Sequence, residues 1–197
     1  MKLLLFTDLH GSFRALNELK EKSRETKAIV CAGDISIFQE RMDELLKELN
    51  SLKQPVFIIP GNHENHEDLK HEANKFRNIK YIHNDIFLMD TNYLFMGFGG
   101  GGFSARDAEF EKAAKNFKNL IKINHKTILV THAPPHNTKV DMVNGRHVGN
   151  KSIREFLNSA NIHLHVCGHL HENAETVDTV GETTVINPGH KGIIFNL

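Results

Sequence analysis

Five times in this chain an apolar run breaks off into a short loop that carries Asp, Asn or His. Leu3-Leu4-Leu5-Phe6 leads to Asp8 and His10, and Ala28-Ile29-Val30-Cys31-Ala32 leads to Asp34. Pro55-Val56-Phe57-Ile58-Ile59-Pro60 leads to Asn62 and His63, Thr127-Ile128-Leu129-Val130-Thr131 to His132, and the run from Ile162 to Cys167 to His169 and His171. Short apolar runs of this kind read as buried strands. Helical patterns follow the first three. One spans Ser12 to about Arg24, with Ser12 as N-cap and Phe13, Leu16 and Leu19 as its stripe. Another spans Gln39 to Asn50, with Met42, Leu45, Leu46 and Leu49 on one face, and a polar helix runs to about Phe76. Strand, loop and helix in alternation predict a parallel sheet with crossover helices. Sites in such sheets form where the strands end at their carboxyl edge, so these loops are expected on one rim.

The middle and end change character. Ile79–Ile82, Ile86–Met89 and Tyr93–Phe98 read as short strands joined in a meander. A Gly99-Gly100-Gly101-Gly102-Phe103-Ser104 loop follows, too rich in glycine for one turn and without the register of a dinucleotide fingerprint. Ser104 with Asp107 reads as a capping pair for a helix to about Lys122, and Lys151 to Ser159 as a further helix. The alternation His163-Leu164-His165-Val166 suggests a strand with one wetter face. Thr176–Val180, Thr183–Asn187 and Lys191–Asn196 close the chain as antiparallel strands. No repeat or linker interrupts it, so residues 1–197 read as a single α/β domain with two stacked sheets.

Each ligand-type residue taken alone has a bland explanation as a cap, a turn or a solvated side chain. Five such loops in one chain do not. Asp8 and His10 lie two apart, so on extended backbone they project to the same side, and Gly11 permits the turn that follows. Asp8, His10, Asp34, Asn62, His132, His169 and His171 are too many for one four-coordinate zinc. Shared between two ions, with one carboxylate bridging, they supply about four ligands each. Nitrogen and oxygen donors without thiolate suit manganese, iron, zinc, cobalt or nickel. Two divalent ions, two aspartates and a bridging hydroxide sum to roughly +1, which attracts anions. Two ions ~3.5–4 Å apart can bind both the attacking oxygen and a phosphoryl oxygen, so a phosphate ester fits better than a neutral amide.

Histidine is the compositional outlier, with fourteen in 197 residues. The formal net charge of +0 gives no general electrostatic grip on nucleic acid or membrane. No apolar run approaches the ~20 residues of a membrane span. Cys31 and Cys167 sit inside apolar runs and read as buried free thiols. With no signal peptide, a cytoplasmic protein is expected.

The blocks Asp8-Leu9-His10, Gly33-Asp34, Gly61-Asn62-His63-Glu64, His132 and Gly168-His169-Leu170-His171 resemble those of the calcineurin-like metallophosphoesterases, in the same order. The resemblance implies a four-layer αββα sandwich, two mixed β-sheets flanked by helices, the metallo-dependent phosphatase fold. It implies that Asp8, His10, Asp34 and His171 hold one divalent ion, and that Asp34, Asn62, His132 and His169 hold the other, with Asp34 bridging. Manganese stands first, with iron, zinc, nickel or cobalt as alternatives. It further implies catalysis by a metal-bridging hydroxide, with His63 protonating the leaving oxygen or stabilising charge on the phosphate.

Departures narrow the group. Asp34 is followed by Ile35-Ser36-Ile37-Phe38, without the Arg that protein Ser/Thr phosphatases carry there. Thr131-His132-Ala133-Pro134-Pro135 and Asn187-Pro188-Gly189 are similar to the small prokaryotic phosphodiesterase branch and its cyclic-nucleotide relatives. The expected enzyme therefore hydrolyses phosphodiesters of nucleotide or cyclic-nucleotide type, ahead of phosphomonoesters. A non-catalytic metal-binding scaffold would show a replaced ligand, and none is replaced. Arg146, His147 and His136 are candidate substrate-binding residues, with His190 as an alternative, and Phe38, Phe103 and Ile37 are candidates to flank a base or aryl group. The expected partner is a small phosphate-ester substrate, with no stable nucleic-acid partner. His66, His83 and His125 read as solvated.

Overall fold

The computed structural model describes residues 1–102 and 104–197. Phe103 and its share of the glycine loop lie outside them. In chain order the elements are β1 (Lys2–Phe6), α1 (Phe13–Ser23), β2 (Ala28–Cys31), α2 (Met42–Asn50), β3 (Val56–Ile58), α3 (His66–Ala73) and β4 (Ile79–Tyr81). Then come β5 (Asp85–Met89), β6 (Tyr93–Phe98), α4 (Ala108–Leu120), β7 (Lys126–Thr131), β8 (Met142–Val143) and β9 (Arg146–His147). The chain ends with α5 (Lys151–Ser159), β10 (Leu164–Val166), β11 (Thr176–Val180), β12 (Thr183–Asn187) and β13 (Ile193–Asn196).

Two mixed sheets form, ordered β13-β1-β2-β3-β4 and β11-β12-β10-β7-β6-β5. Within the first, β1 to β4 are parallel and β13 runs antiparallel beside β1. Period-2 alternation sorts each strand's side chains between two environments. Leu3 and Leu5 of β1 face inward with Val30, Phe57, Ile128, Val130 and Val166 in a core between the sheets. Leu4 and Phe6 face outward onto Leu16 and Leu19 of α1, Leu45 and Leu49 of α2, and Leu69 of α3. The second sheet's outer face packs Leu129, Met96 and Val185 against Phe110 and Phe117 of α4 and Ile153 and Phe156 of α5. The result is the expected order of helices, sheet, sheet, helices, and it explains why the strands read as unbroken apolar runs.

Several local expectations are corrected. The three middle strands are not one meander. β4 extends the first sheet in parallel with β3, while β5 and β6 form a hairpin in the second. The last strand likewise leaves its neighbours: β11 and β12 pair, but β13 crosses back to β1. Helix α2 starts at Met42 rather than Gln39, because Phe38, Gln39 and Arg41 all adopt left-handed backbone (φ 46°, 69° and 53°). Asp107, not Ser104, caps α4, accepting from Phe110 N at 3.0 Å. His165 has no wet face. It is fully buried on a central strand and bonded to Thr131 Oγ1 at 2.8 Å. His66 and His83 are bonded to each other at 2.9 Å, and His125 is buried.

Candidate metal centre

The carboxyl ends of β1, β2, β3, β7 and β10 deliver Asp8 and His10, Asp34, Asn62 and His63, His132, and His169 in turn, with His171 two residues further on. The loops continue the sheet's pairing past the strand ends. Asp8 N donates to Gly33 O at 3.1 Å, His10 N to Asp34 O at 3.0 Å and Gly168 N to His132 O at 2.9 Å. Asp8, His10, Asp34 and His169 all hold left-handed backbone, with φ of 53°, 45°, 53° and 70°. Four non-glycine residues in this region within one site amount to stored strain, which persists where surrounding structure fixes it.

The side chains of all seven predicted ligands converge. His10 Nε2 and His171 Nε2 lie 3.0 Å apart, with Asp8 Oδ1 4.0 and 3.6 Å from them. Asp34 Oδ2 is 3.9 Å from His10 Nε2 and 3.3 Å from His132 Nε2, so one carboxylate stands between two clusters. Asn62 Oδ1 completes the second, 3.0 Å from His132 Nε2 and 2.9 Å from His169 Nδ1. Among the described residues three overlapping groups bring one donor atom each within 4.8 Å: Asp8, His10 and His171; His10, Asp34 and His63; Asp8, Asp34 and His132.

The donor chemistry fits divalent cations. His132 Nδ1 faces the Ala32 carbonyl at 2.8 Å and must carry its proton there. Its Nε2 lone pair then points at two oxygen acceptors, on Asp34 and Asn62, an arrangement that needs a cation or a proton between them. The protonation tendencies agree. Burial alone would lower the His132 pKa, but the hydrogen bond and charge of Asp34 outweigh it and the pKa is raised. Burial pushes Asp34 up, yet its contacts with His132 and His63 outweigh that, and its pKa is lowered. Burial takes His10 down, partly offset by Asp34 and Asp8. Burial and then the charge of His132 bring His169 down to about 4, leaving a neutral ring suited to ligation.

His63 projects beside this set. Its backbone N–H donates to Asp34 Oδ1 at 2.9 Å, and its ring meets those of His10 and Phe38 at centroid distances of 5.0 and 4.6 Å. Its Nδ1 is buried and has no hydrogen-bond partner among the described residues. A cavity of about 400 Å³ opens next to Asp8 and His10, bounded among the described residues by Leu9, Ser12, His171, Ala174, Gly189 and His190, with neither Lys nor Arg among them.

The other substrate-binding candidates form a separate group. His147 Nδ1 lies 2.7 Å from Asp141 Oδ1 and His136 Nδ1 3.6 Å from Asp141 Oδ2, around a fully buried carboxylate. Asp141 also accepts from Asn137 N, Thr138 N and Gly149 N, so these contacts tie down the loop after His132. Arg146 is exposed on β9. What the sequence left without a role is the Glu64 side chain. It is buried, and its Oε2 accepts from Asp34 N and Gly61 N, both at 2.9 Å. Its Oε1 accepts from Ser36 N at 3.0 Å and Ser36 Oγ at 2.8 Å. The signal was an acid closing the Gly61-Asn62-His63-Glu64 run among ligand-type residues. Gly102 is the second omission: a Cβ there would come 2.7 Å from His169 Cε1.

Among the described residues no helix is long and apolar enough to cross a membrane. The profile of calcineurin-like phosphoesterases matches residues 1–173. An uncharacterized protein of Methanocaldococcus jannaschii is 34% identical, over 97% of this chain and 89% of its own. Two solved structures share the fold at low identity. A dimetal phosphatase from Danio rerio has a TM-score of 0.62 at 15% identity, covering 94% of this chain and 86% of that one. A structure described as a novel archaeal phosphodiesterase has a TM-score of 0.54 at 16%, covering 96% and 84%.

Proposed function

This chain belongs to the calcineurin-like phosphoesterase family, and on that footing we propose that it is a dinuclear phosphodiesterase. The observation that carries the reading is Asp34 Oδ2 standing between His10 Nε2 and His132 Nε2, each at the head of its own donor cluster. Asp8, His10, Asp34 and His171 would hold one divalent ion, and Asp34, Asn62, His132 and His169 the other, with manganese first among the metals. When bound, two such ions supply Lewis acidity toward a phosphoryl oxygen and make water acidic enough to attack near neutral pH.

The protein's own groups do the rest. Asp34 and Glu64 hold the β2 and β3 loops in register, which sets the spacing of the donors. His63 lies at the rim next to Asp34 and His10, where it can give a proton to the departing oxygen. Preference for diesters is supported by charge. A diester carries one negative charge where a monoester carries up to two, and among the described residues the cavity by Asp8 is lined by no Lys or Arg to match the second. Residues 1–197 would act as one domain on a small substrate in the cytoplasm.

The test is hydrolysis of bis(4-nitrophenyl) phosphate and of 4-nitrophenyl phosphate with added manganese, by the wild type and by Asp34→Asn. The variant keeps a side-chain oxygen for His63 N but loses the charge shared by both clusters. The reading requires diester turnover exceeding monoester turnover, and a loss in the variant beyond the ~10–100-fold typical of outer-shell changes. No diester turnover, or an Asp34→Asn enzyme as active as wild type, contradicts it.

A further inference from the structure

Phe38 is three-quarters exposed (75%), and Ile37 beside it is 42% exposed, whereas most large apolar side chains among the described residues are buried. The segment is held rather than loose. At one end Ser36 is fixed by the Glu64 carboxylate through N and Oγ. At the other, the Arg41 guanidinium lies 4.2 Å above the Phe13 ring and makes two bonds to Glu44, at 3.0 and 2.8 Å. Between these anchors Phe38 and Gln39 take left-handed backbone, as does Arg41 itself, a conformation that bulky side chains rarely adopt. The loop thus spends both apolar burial and backbone comfort to hold an aromatic ring in the open.

The ring is not aimed at random. Its centroid is 4.6 Å from that of His63 at an interplanar angle of 50°. If His63 serves the leaving oxygen, the group attached to that oxygen emerges next to Phe38. We propose that Phe38 is a specificity-determining residue that stacks on a planar, aromatic leaving group of the phosphodiester. That group is either an aryl ring on the oxygen itself or a nucleobase carried on ribose. The inference rests on the phosphoesterase reading above and adds the chemistry of the alcohol released. Offset or tilted ring pairs at ~4.5–7 Å separation are the favourable geometry, and with three-quarters of Phe38 exposed there is ring surface left for such a partner beside His63.

The test uses Phe38→Ala and Phe38→Tyr in the manganese-loaded protein, with metal content and melting temperature measured alongside. Binding of phenylphosphonate and methylphosphonate is measured by titration calorimetry. Turnover of bis(4-nitrophenyl) phosphate, 3′,5′-cyclic AMP and glycerophosphocholine is compared in parallel. Phe38→Ala is expected to weaken phenylphosphonate by about 3- to 15-fold while methylphosphonate changes by less than about twofold, and Phe38→Tyr restores the difference. KM for the planar diesters rises and that for glycerophosphocholine does not. An effect on bis(4-nitrophenyl) phosphate alone assigns the aryl form, and an effect that includes cyclic AMP assigns the nucleobase form. Equal losses for phenyl- and methylphosphonate, or no loss for either, overturn the proposal while leaving the phosphoesterase reading intact. A wild type that binds neither phosphonate and turns over no diester overturns both.

Discussion

The buried carboxylate of Glu64 accepts the backbone N–H of Asp34 at 2.9 Å, so the residue at the middle of the donor set is held from a different loop. The same oxygen takes Gly61 N, and its twin takes both donors of Ser36. All four partners donate, which an ionised carboxylate accepts and an amide cannot. Glu64→Gln should therefore set an NH₂ group against donors, costing about 1–3 kcal/mol of stability. It should also weaken metal binding ~10–100-fold, as outer-shell changes do. Urea denaturation together with manganese titration checks both effects. Unchanged metal affinity would show that Glu64 only shapes the loop.

Gly102 has φ of +143°, and an added Cβ would lie 2.7 and 2.8 Å from His169 Cε1 and Nε2. Gly102→Ala is expected to displace His169 and lower bound metal from about two ions per chain toward one. Gly101 is the control, also left-handed (φ +74°) but with its nearest atom, Asp107 Oδ2, 3.8 Å from an added Cβ. Gly101→Ala should cost about 1 kcal/mol of stability and leave stoichiometry alone. Elemental analysis of both variants decides it.

His63 as a proton donor makes a prediction about leaving groups. His63→Asn should slow a diester with a poor alkoxide leaving group by ~10²–10⁴-fold. A 4-nitrophenolate needs no proton, so its release should slow far less. Equal losses on both would assign His63 to charge stabilisation of the phosphate instead.

Acid should destabilise the fold through His165. Its Nε2 bonds Thr131 Oγ1, whose own proton goes to Ala133 O at 2.7 Å, and its Nδ1 has no partner among the described residues. Burial pulls its pKa down to about 3. The unfolded chain therefore takes up a proton that the folded one refuses, so stability is full above about pH 6.5 and falls as pH drops toward 3. The slope from this group is at most ~1.4 kcal/mol per pH unit. His83, brought to about 4 by burial and then by His66, adds to the same trend. His165→Leu should flatten the slope between pH 6.5 and 5 in urea titrations, and an unchanged slope would locate the acid sensitivity elsewhere.

The two stacked sheets and the donors at the strand ends were legible because both follow from short-range rules, whereas the four-layer order and each ion's ligand set came with the family resemblance. Apolar runs marked strands buried on both faces, and each donor followed directly at a strand end. What escaped depends on pairing across the chain. Nothing within Lys191–Asn196 says that it returns to β1, or that β4 leaves β5 for the other sheet, because strand partners are chosen by packing. His165 misled because an alternating His pattern looks half-wet, whereas its strand lies between β7 and β12. Glu64 and Gly102 act through the backbone N–H groups and the ring they meet, which no spacing along the chain reveals. His136 and His147 are candidate substrate contacts by their loop alone, and their neighbour Asp141, 3.6 and 2.7 Å away and buried, has no signal in the spacing of that loop.

The most direct measurement is a crystal structure of the manganese-soaked protein with anomalous scattering collected at the manganese edge. Two peaks are expected about 3.5–4 Å apart, both touching Asp34. One should sit among Asp8, His10 and His171, and its neighbour among Asn62, His132 and His169. A single peak, a pair that Asp34 does not join, or none at all in this cleft would contradict it.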